Sequence, residues 1–262
     1  MPYLLPIGLI AVVWLAIVVL SERWNLLSCD RFPTPVHKYA AYAWLGAFML
    51  FLAYLVTGSA LRPATSSQLA KTPFFTLFAL HAILVAFLLG WWLLTGRPRV
   101  REYLNIQRQP VHEVALTGIA VGVGGWIFTL LAALAVALIL KSVGVLPEQP
   151  EPPAMVGWMA ALPIWKKALI VMSAMTIEEF FFRSWLQKRV GLIASTTLFA
   201  LAHFTYGQPL FLIGVSVISL IIGVTFYRTK NVVPGIIAHG VFDAIQLFVI
   251  VPLAVRLMGI SG

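Results

Sequence analysis

Long apolar runs recur along the whole chain and constrain its fold more than any other feature. Runs of roughly 17–25 residues match the length a helix needs, at 1.5 Å per residue, to cross the hydrocarbon core of a bilayer. In lipid the backbone must satisfy its own hydrogen bonds, so runs this long are expected as helices rather than as the shorter strands of a barrel. Eight candidate spans follow: residues 3–20, 40–57, 73–95, 114–140, 165–187, 192–204, 210–227 and 232–257. The expected fold is all-α, a polytopic membrane bundle of about eight transmembrane helices. Composition agrees, with 10% charged residues and a mean hydropathy of +0.95, where a soluble domain carries about 25% charged residues.

The formal net charge of +9 raises nucleic acid as a partner. The basic residues, however, fall between the apolar runs, where they act as topology signals and contacts for anionic lipid. The bilayer is therefore the expected partner, and nucleic acid is not. Lys and Arg gather in the odd-numbered connections, most densely at Arg97, Arg99, Arg101 and Arg108. That bias puts both termini outside and the odd connections in the cytoplasm, although Lys166 and Lys167 pull the other way. The expected location is the plasma (inner) membrane, as a multi-pass protein. The single cysteine, Cys29, rules out an internal disulfide, and no Cys-x-x-Cys or His-Glu-x-x-His motif occurs. The first run lacks a basic leader and a small-residue cleavage site, so it reads as an anchor rather than a cleaved signal.

Three segments are expected to form one integrated membrane domain. Residues 1–142 hold four helices, residues 143–163 form a Pro- and Glu-bearing connection, and residues 164–262 hold the remaining helices. Gly118 and Gly122 make a small-xxx-small pair suited to close helix packing. Trp91, Trp92, Trp158, Trp165 and Trp185 lie near span ends and read as interfacial anchors. The sixth span ends at His203 and is followed by Gly207 and Pro209, which break a helix. Irregular backbone at membrane depth is tolerated only inside protein or beside a watery cavity.

Charged side chains at that depth are expensive and are usually functional and partnered. Glu178, Glu179 and Arg183 sit together in the fifth span. Glu179 and Arg183 share a helix face and can pair, whereas Glu178 points elsewhere and needs a partner on another helix. At 1.5 Å per residue, counted from the cytoplasmic basic residues, Glu178 lies roughly 15 Å deep, His203 21 Å, His239 14 Å and Asp243 20 Å. Titratable groups on three helices thus converge in one layer. His81, alone in the third span, reads as a packing residue, and His37 and His112 lie in connections.

The ordered set Glu178-Glu179 with Arg183, Phe199 with His203, and His239 with Asp243 resembles the CPBP family. That family comprises the second type of CaaX prenyl-protein endopeptidases together with bacteriocin-processing and self-immunity (Abi) proteins. The resemblance spans roughly residues 165–250. It implies an intramembrane endopeptidase that cuts a membrane-associated or C-terminally lipidated peptide or protein and requires no cofactor. By carry-over Glu178 is the general base, His203 shares the proton and orients the water, and His239 with Asp243 stabilises the oxyanion. Glu179 and Arg183 hold the helix and tune the field. Asp243 departs from the commoner asparagine. An ionised Asp repels an oxyanion, so its role requires protonation or a hold on His239 as imidazolium.

Other readings of the same residues remain open. Glu178, His203 and His239 are acceptable zinc ligands, so a zinc-dependent membrane protease is one alternative. A non-catalytic immunity or scaffold protein, or a proton-coupled transporter, is another, since buried Glu and His also form proton relays. An aspartyl dyad is excluded, because Asp30 and Asp243 are the only aspartates and Asp30 lies in a connection. No Gly-x-Ser-x-Gly motif occurs, and Ser173, Ser184 and Ser195 have no base at helical spacing.

Overall fold

The computed structural model describes residues 3–24, 30–61, 68, 71–145, 154–204 and 209–257. Cys29, the Pro- and Glu-bearing stretch 147–153 and the glycine of the break after His203 lie outside these residues. The apolar runs become α1 (Leu4–Trp24), α2 (Pro35–Leu61) and α3 (Ala79–Leu94), the last entered through a 3-10 turn at Phe74–Phe78. The short α4 (Val100–Tyr103) leads to the long α5 (Val111–Ser142), and α6 spans Ala154–Ala161. Helix α7 (Ile164–Glu179) continues as a π-wound turn, Phe180–Gln187, into α8 (Lys188–Ala202). Then come α9 (Pro209–Thr229) and α10 (Val233–Ala244), which passes through a second π-wound turn, Ile245–Ile250, into α11 (Val251–Leu257). The fold is all-α and polytopic.

Among the described residues six segments are long and apolar enough to cross a membrane: Leu4–Arg23, Pro35–Gly58, Phe74–Leu94, Val111–Ser142, Phe211–Thr229 and Val233–Leu257. The fifth and sixth expected spans are helical but are not among them, so the count of eight is not confirmed. The α7 segment and its π turn carry Lys166, Lys167, Glu178, Glu179 and Arg183, too many charges for an apolar span. The α8 helix has only 15 residues and is broken at Gly191. Gly191 takes φ +81° there, a left-handed conformation that glycine adopts without a Cβ penalty.

Two packing centres hold the charged helix in place. In the first, Phe48 of α2, Phe87 and Trp91 of α3, and Phe181 and Trp185 of the π turn stack on one another. Ring centroids lie 4.1 Å apart for Phe48–Phe87 and 4.7 Å for Phe87–Trp185. Trp91 and Trp185 are therefore core residues, 0% and 5% exposed, and not interfacial anchors. Their predicted place near span ends was correct, but ends that meet inside a bundle bury their aromatics. Trp165, 55% exposed, does face outward. In the second centre, α5 packs along α10, and Ile218 and Ile222 of α9 meet Ala238 and Phe242. A Cβ added to Gly118 would fall 3.0 Å from the Pro234 carbonyl, and one on Gly122 would fall 2.8 Å from the Ala238 carbonyl. Both glycines thus serve the close backbone approach of α5 to α10. Outward faces are apolar: on α5, Leu116, Leu130, Leu131 and Leu138 are each half or more exposed, as suits a lipid-facing surface.

Candidate active site

Glu179 and Arg183, one helical turn apart across the start of the π turn, are both 0% exposed. Arg183 Nε donates to Glu179 Oε2 at 3.0 Å, and its Nη2 donates to Ser219 Oγ of α9 at 3.1 Å. The other Glu179 oxygen, Oε1, accepts from His239 Nδ1 of α10 at 2.9 Å. Both carboxylate oxygens are thereby engaged, as a buried charge requires. Gly235 opens the space for this contact, since a Cβ there would lie 3.3 Å from Glu179 Oε2. Glu179 is a tie between α7, the π turn and α10. On the far side of His239, Nε2 lies 3.4 Å from Asp243 Oδ2 on the same helix. The imidazole is flanked by a carboxylate at each nitrogen, and both can be satisfied at once only by the doubly protonated ring.

Glu178, rotated from its neighbour, has a side chain 14% exposed and faces two histidines from different helices. Oε1 accepts from His81 Nε2 of α3 at 3.2 Å. Oε2 is buried with no hydrogen-bond donor among the described residues, and it lies 4.0 Å from His203 Nε2 at the end of α8. The imidazole of His203 is set by its other nitrogen, Nδ1, which donates to the Phe199 carbonyl at 2.8 Å. The Phe199 ring stacks on His203 at 4.6 Å between centroids and meets His239 edge-on at 6.0 Å. Glu178, His203, His239 and Asp243 thus line one locality, with Glu179 and Arg183 buried behind it.

Sequence reasoning missed His81 and Ser173. His81 is not isolated: it bonds Glu178, and its Nδ1 accepts from Ser173 Oγ of α7 at 2.7 Å. Counting rise from Arg97, His81 sits about sixteen residues in, roughly 24 Å deep, past the roughly 21 Å counted for His203 and the roughly 15 Å for Glu178, so depth counting does not pair it with its partner. Ser173 has a base after all, one supplied across helices rather than along its own. Asp30, also set aside, is buried against Arg189 and accepts from Trp91 Nε1 at 3.3 Å.

The alternative zinc ligands are Glu178, His203 and His239, and a zinc ligand needs a nitrogen lone pair or carboxylate oxygen about 2.0–2.2 Å from the ion. His239 Nδ1 donates to Glu179, and its Nε2 lies 3.4 Å from Asp243 Oδ2. Among the described residues no group of three or more His, Cys, Asp or Glu side chains is arranged to hold a metal ion.

Residues 160–245 match the family described as Type II CAAX prenyl endopeptidase Rce1-like, over about a third of the chain. No curated protein and no solved structure matches the chain. With six apolar helices long enough to cross a bilayer among the described residues, this is an integral, multi-pass membrane protein. The matched stretch covers the helices that carry every member of the acid–histidine cluster except His81.

Proposed function

We propose that the protein is an endopeptidase of the plasma (inner) membrane in which Glu178 and His203 activate a water against a peptide bond. The substrate is a membrane-associated or C-terminally lipidated peptide or protein. The observation that carries this reading is the 4.0 Å separation of Glu178 Oε2 and His203 Nε2. Both atoms are acceptors when Glu178 is ionised and His203 is neutral, because the His203 proton is committed to the Phe199 carbonyl. A water at ordinary hydrogen-bond distance, about 2.8 Å from each, donates one hydrogen to either side and keeps a lone pair for attack. A carboxylate and an imidazole sharing one water are well matched to general-base work.

As the water oxygen bonds to the carbonyl carbon, its proton passes to Glu178 and the carbonyl oxygen takes up negative charge. His239, held by Glu179, supplies positive charge beside that oxygen. Its Nε2 contact with Asp243 is long at 3.4 Å, loose enough for the Nε2 proton to be shared with a substrate oxygen. Preorganised donors of this kind are worth roughly 3–4 kcal/mol in the transition state. Collapse of the intermediate breaks the C–N bond, and the departing amine takes the proton held between Glu178 and His203. Asp243 acts by keeping His239 protonated rather than by touching the oxyanion, which accommodates Asp at a position the family more commonly fills with Asn.

The test uses purified protein in liposomes, a farnesylated peptide ending in a CaaX tetrapeptide and the same peptide unmodified, in water enriched in oxygen-18. Cleavage should place one solvent oxygen in the new C-terminal carboxylate, and His203→Ala should slow it by about a hundredfold or more. Cleavage by His203→Ala at the wild-type rate would remove the water-activation scheme. Preference between the two peptides reads out whether the lipid is recognised.

A further inference from the structure

The reactive carboxylate has a partner from the first half of the chain. His81 of α3 donates through Nε2 to Glu178 Oε1 at 3.2 Å, and Ser173 Oγ lies 2.7 Å from His81 Nδ1. Both contacts are partly buried, and Ser173 and Glu178 lie on the same helix, α7, with His81 bridging them from across the interface.

The chemistry of the three groups fixes their hydrogen atoms. An ionised carboxylate only accepts, so His81 Nε2 must carry a proton. In the neutral ring Nδ1 is then an acceptor, and the Ser173 hydroxyl must donate to it. Glu178 therefore selects the tautomer in which Nε2–H points at it, and the Ser173 hydroxyl, able to donate or accept, fixes the ring's orientation by bonding the other nitrogen. One carboxylate oxygen is pinned, and the other, Oε2, is left facing His203 across 4.0 Å.

Resting on the reading of Glu178 as general base, we infer that His81 is a positioning residue for that reaction, with Ser173 holding its ring in place. The pair orients the Glu178 carboxylate so that Oε2 faces the water site. It also keeps a hydrogen bond on Oε1 while Oε2 takes and returns the proton. The catalytic unit thus extends beyond the matched stretch 160–245 into α3. Ser173 has a second neighbour, an apolar groove lined with Phe75, Phe78, Leu169, Met172 and Thr176. Its hydroxyl has no role toward Glu178 other than through His81.

The experiment compares wild type with His81→Leu, His81→Gln and Ser173→Ala in the liposome peptidase assay, with Glu178→Gln as the marker for the underlying reading. Gln at position 81 can present an amide N–H near the position of Nε2, whereas Leu cannot. His81→Leu should lower kcat by about ten- to a hundredfold with KM within twofold, as loss of a hydrogen bond to a charged group predicts. His81→Gln should recover most of that loss, and Ser173→Ala should cost a few-fold. If His81→Leu keeps wild-type kcat while Glu178→Gln is inactive, the positioning role is overturned and the base reading survives. If Glu178→Gln is itself active, the base reading fails and the positioning role fails with it. A Ser173→Ala loss as complete as that of Glu178→Gln, with covalent labelling of Ser173 by a fluorophosphonate, would overturn the positioning role in favour of a serine nucleophile. Nitrogen NMR of histidine-labelled protein supplies a readout independent of activity and of variant folding. It should find His81 protonated at Nε2 and bare at Nδ1, and the opposite tautomer would overturn the inference.

Discussion

Glu179 has a bonded partner on each oxygen, Arg183 on one and His239 on the other, and it is fully enclosed. Glu178, its neighbour in the chain, keeps one oxygen without a donor among the described residues. Removing one member of a buried pair strands the other, at a cost of about 3–5 kcal/mol. Glu179→Gln is therefore expected to lower stability by that order, measured by thermal or denaturant unfolding in micelles. A Glu179→Gln variant as stable as wild type would contradict the tie. The adjacent acids, the arginine and the two histidines at helical spacing were legible in the sequence, because side-chain periodicity and membrane cost act locally. His81 was not, since its partner lies ninety-seven residues away and a lone histidine on an apolar run carries no local sign of pairing. The pairing of Glu179 with His239 rather than with Arg183 alone was also invisible, because it depends on how closely α10 approaches α7.

At the scale of elements, that approach is set from behind by α5. Gly118 and Gly122 let α5 lie against the α10 backbone, where an added Cβ would meet the Pro234 and Ala238 carbonyls and the Ile237 and Val241 side chains. Backbone cannot yield as a flexible side chain does. Gly122→Val is expected to destabilise by about 1–3 kcal/mol and to lower peptidase activity by displacing His239. Unchanged unfolding and activity would show that α5 is not the backstop. The role of these glycines was readable from their four-residue spacing. The span count was not, because the helix that bears the two adjacent acids also carries Lys166, Lys167 and Arg183, and these charges take it out of the apolar class. The helix is also wound as a π turn from Phe180 to Gln187, directly after the two acids. Such turns are rare and often mark functional sites, and nothing in the local sequence signals one.

Across the whole molecule, the two halves are joined at both ends of the charged helix. On one side His81 of α3 meets Glu178. On the other, Asp30 accepts from Arg189, whose guanidinium stacks on Trp185 at 4.6 Å and on Trp91 at 5.3 Å. Tyr103 closes the same region by donating to the Leu88 carbonyl at 2.8 Å, and burial pushes its phenol up, so it remains a donor at any working pH. Asp30→Asn is expected to cost about 3 kcal/mol or more of stability, as for any buried pair deprived of one charge. An unchanged unfolding midpoint would show that the halves are held by other contacts. The sequence placed Asp30 in a connection, which is where it lies, but a connection folded back onto the bundle buries what it carries. The proposed function rests on Glu178 as general base, and its test is the rate of peptide cleavage by Glu178→Gln in liposomes relative to wild type. A fall of about a hundred- to ten-thousandfold is expected, the usual worth of a general base, with unfolding unchanged because Oε2 accepts no hydrogen bond among the described residues. Cleavage within a factor of about two of wild type would contradict it, since a general base is worth far more.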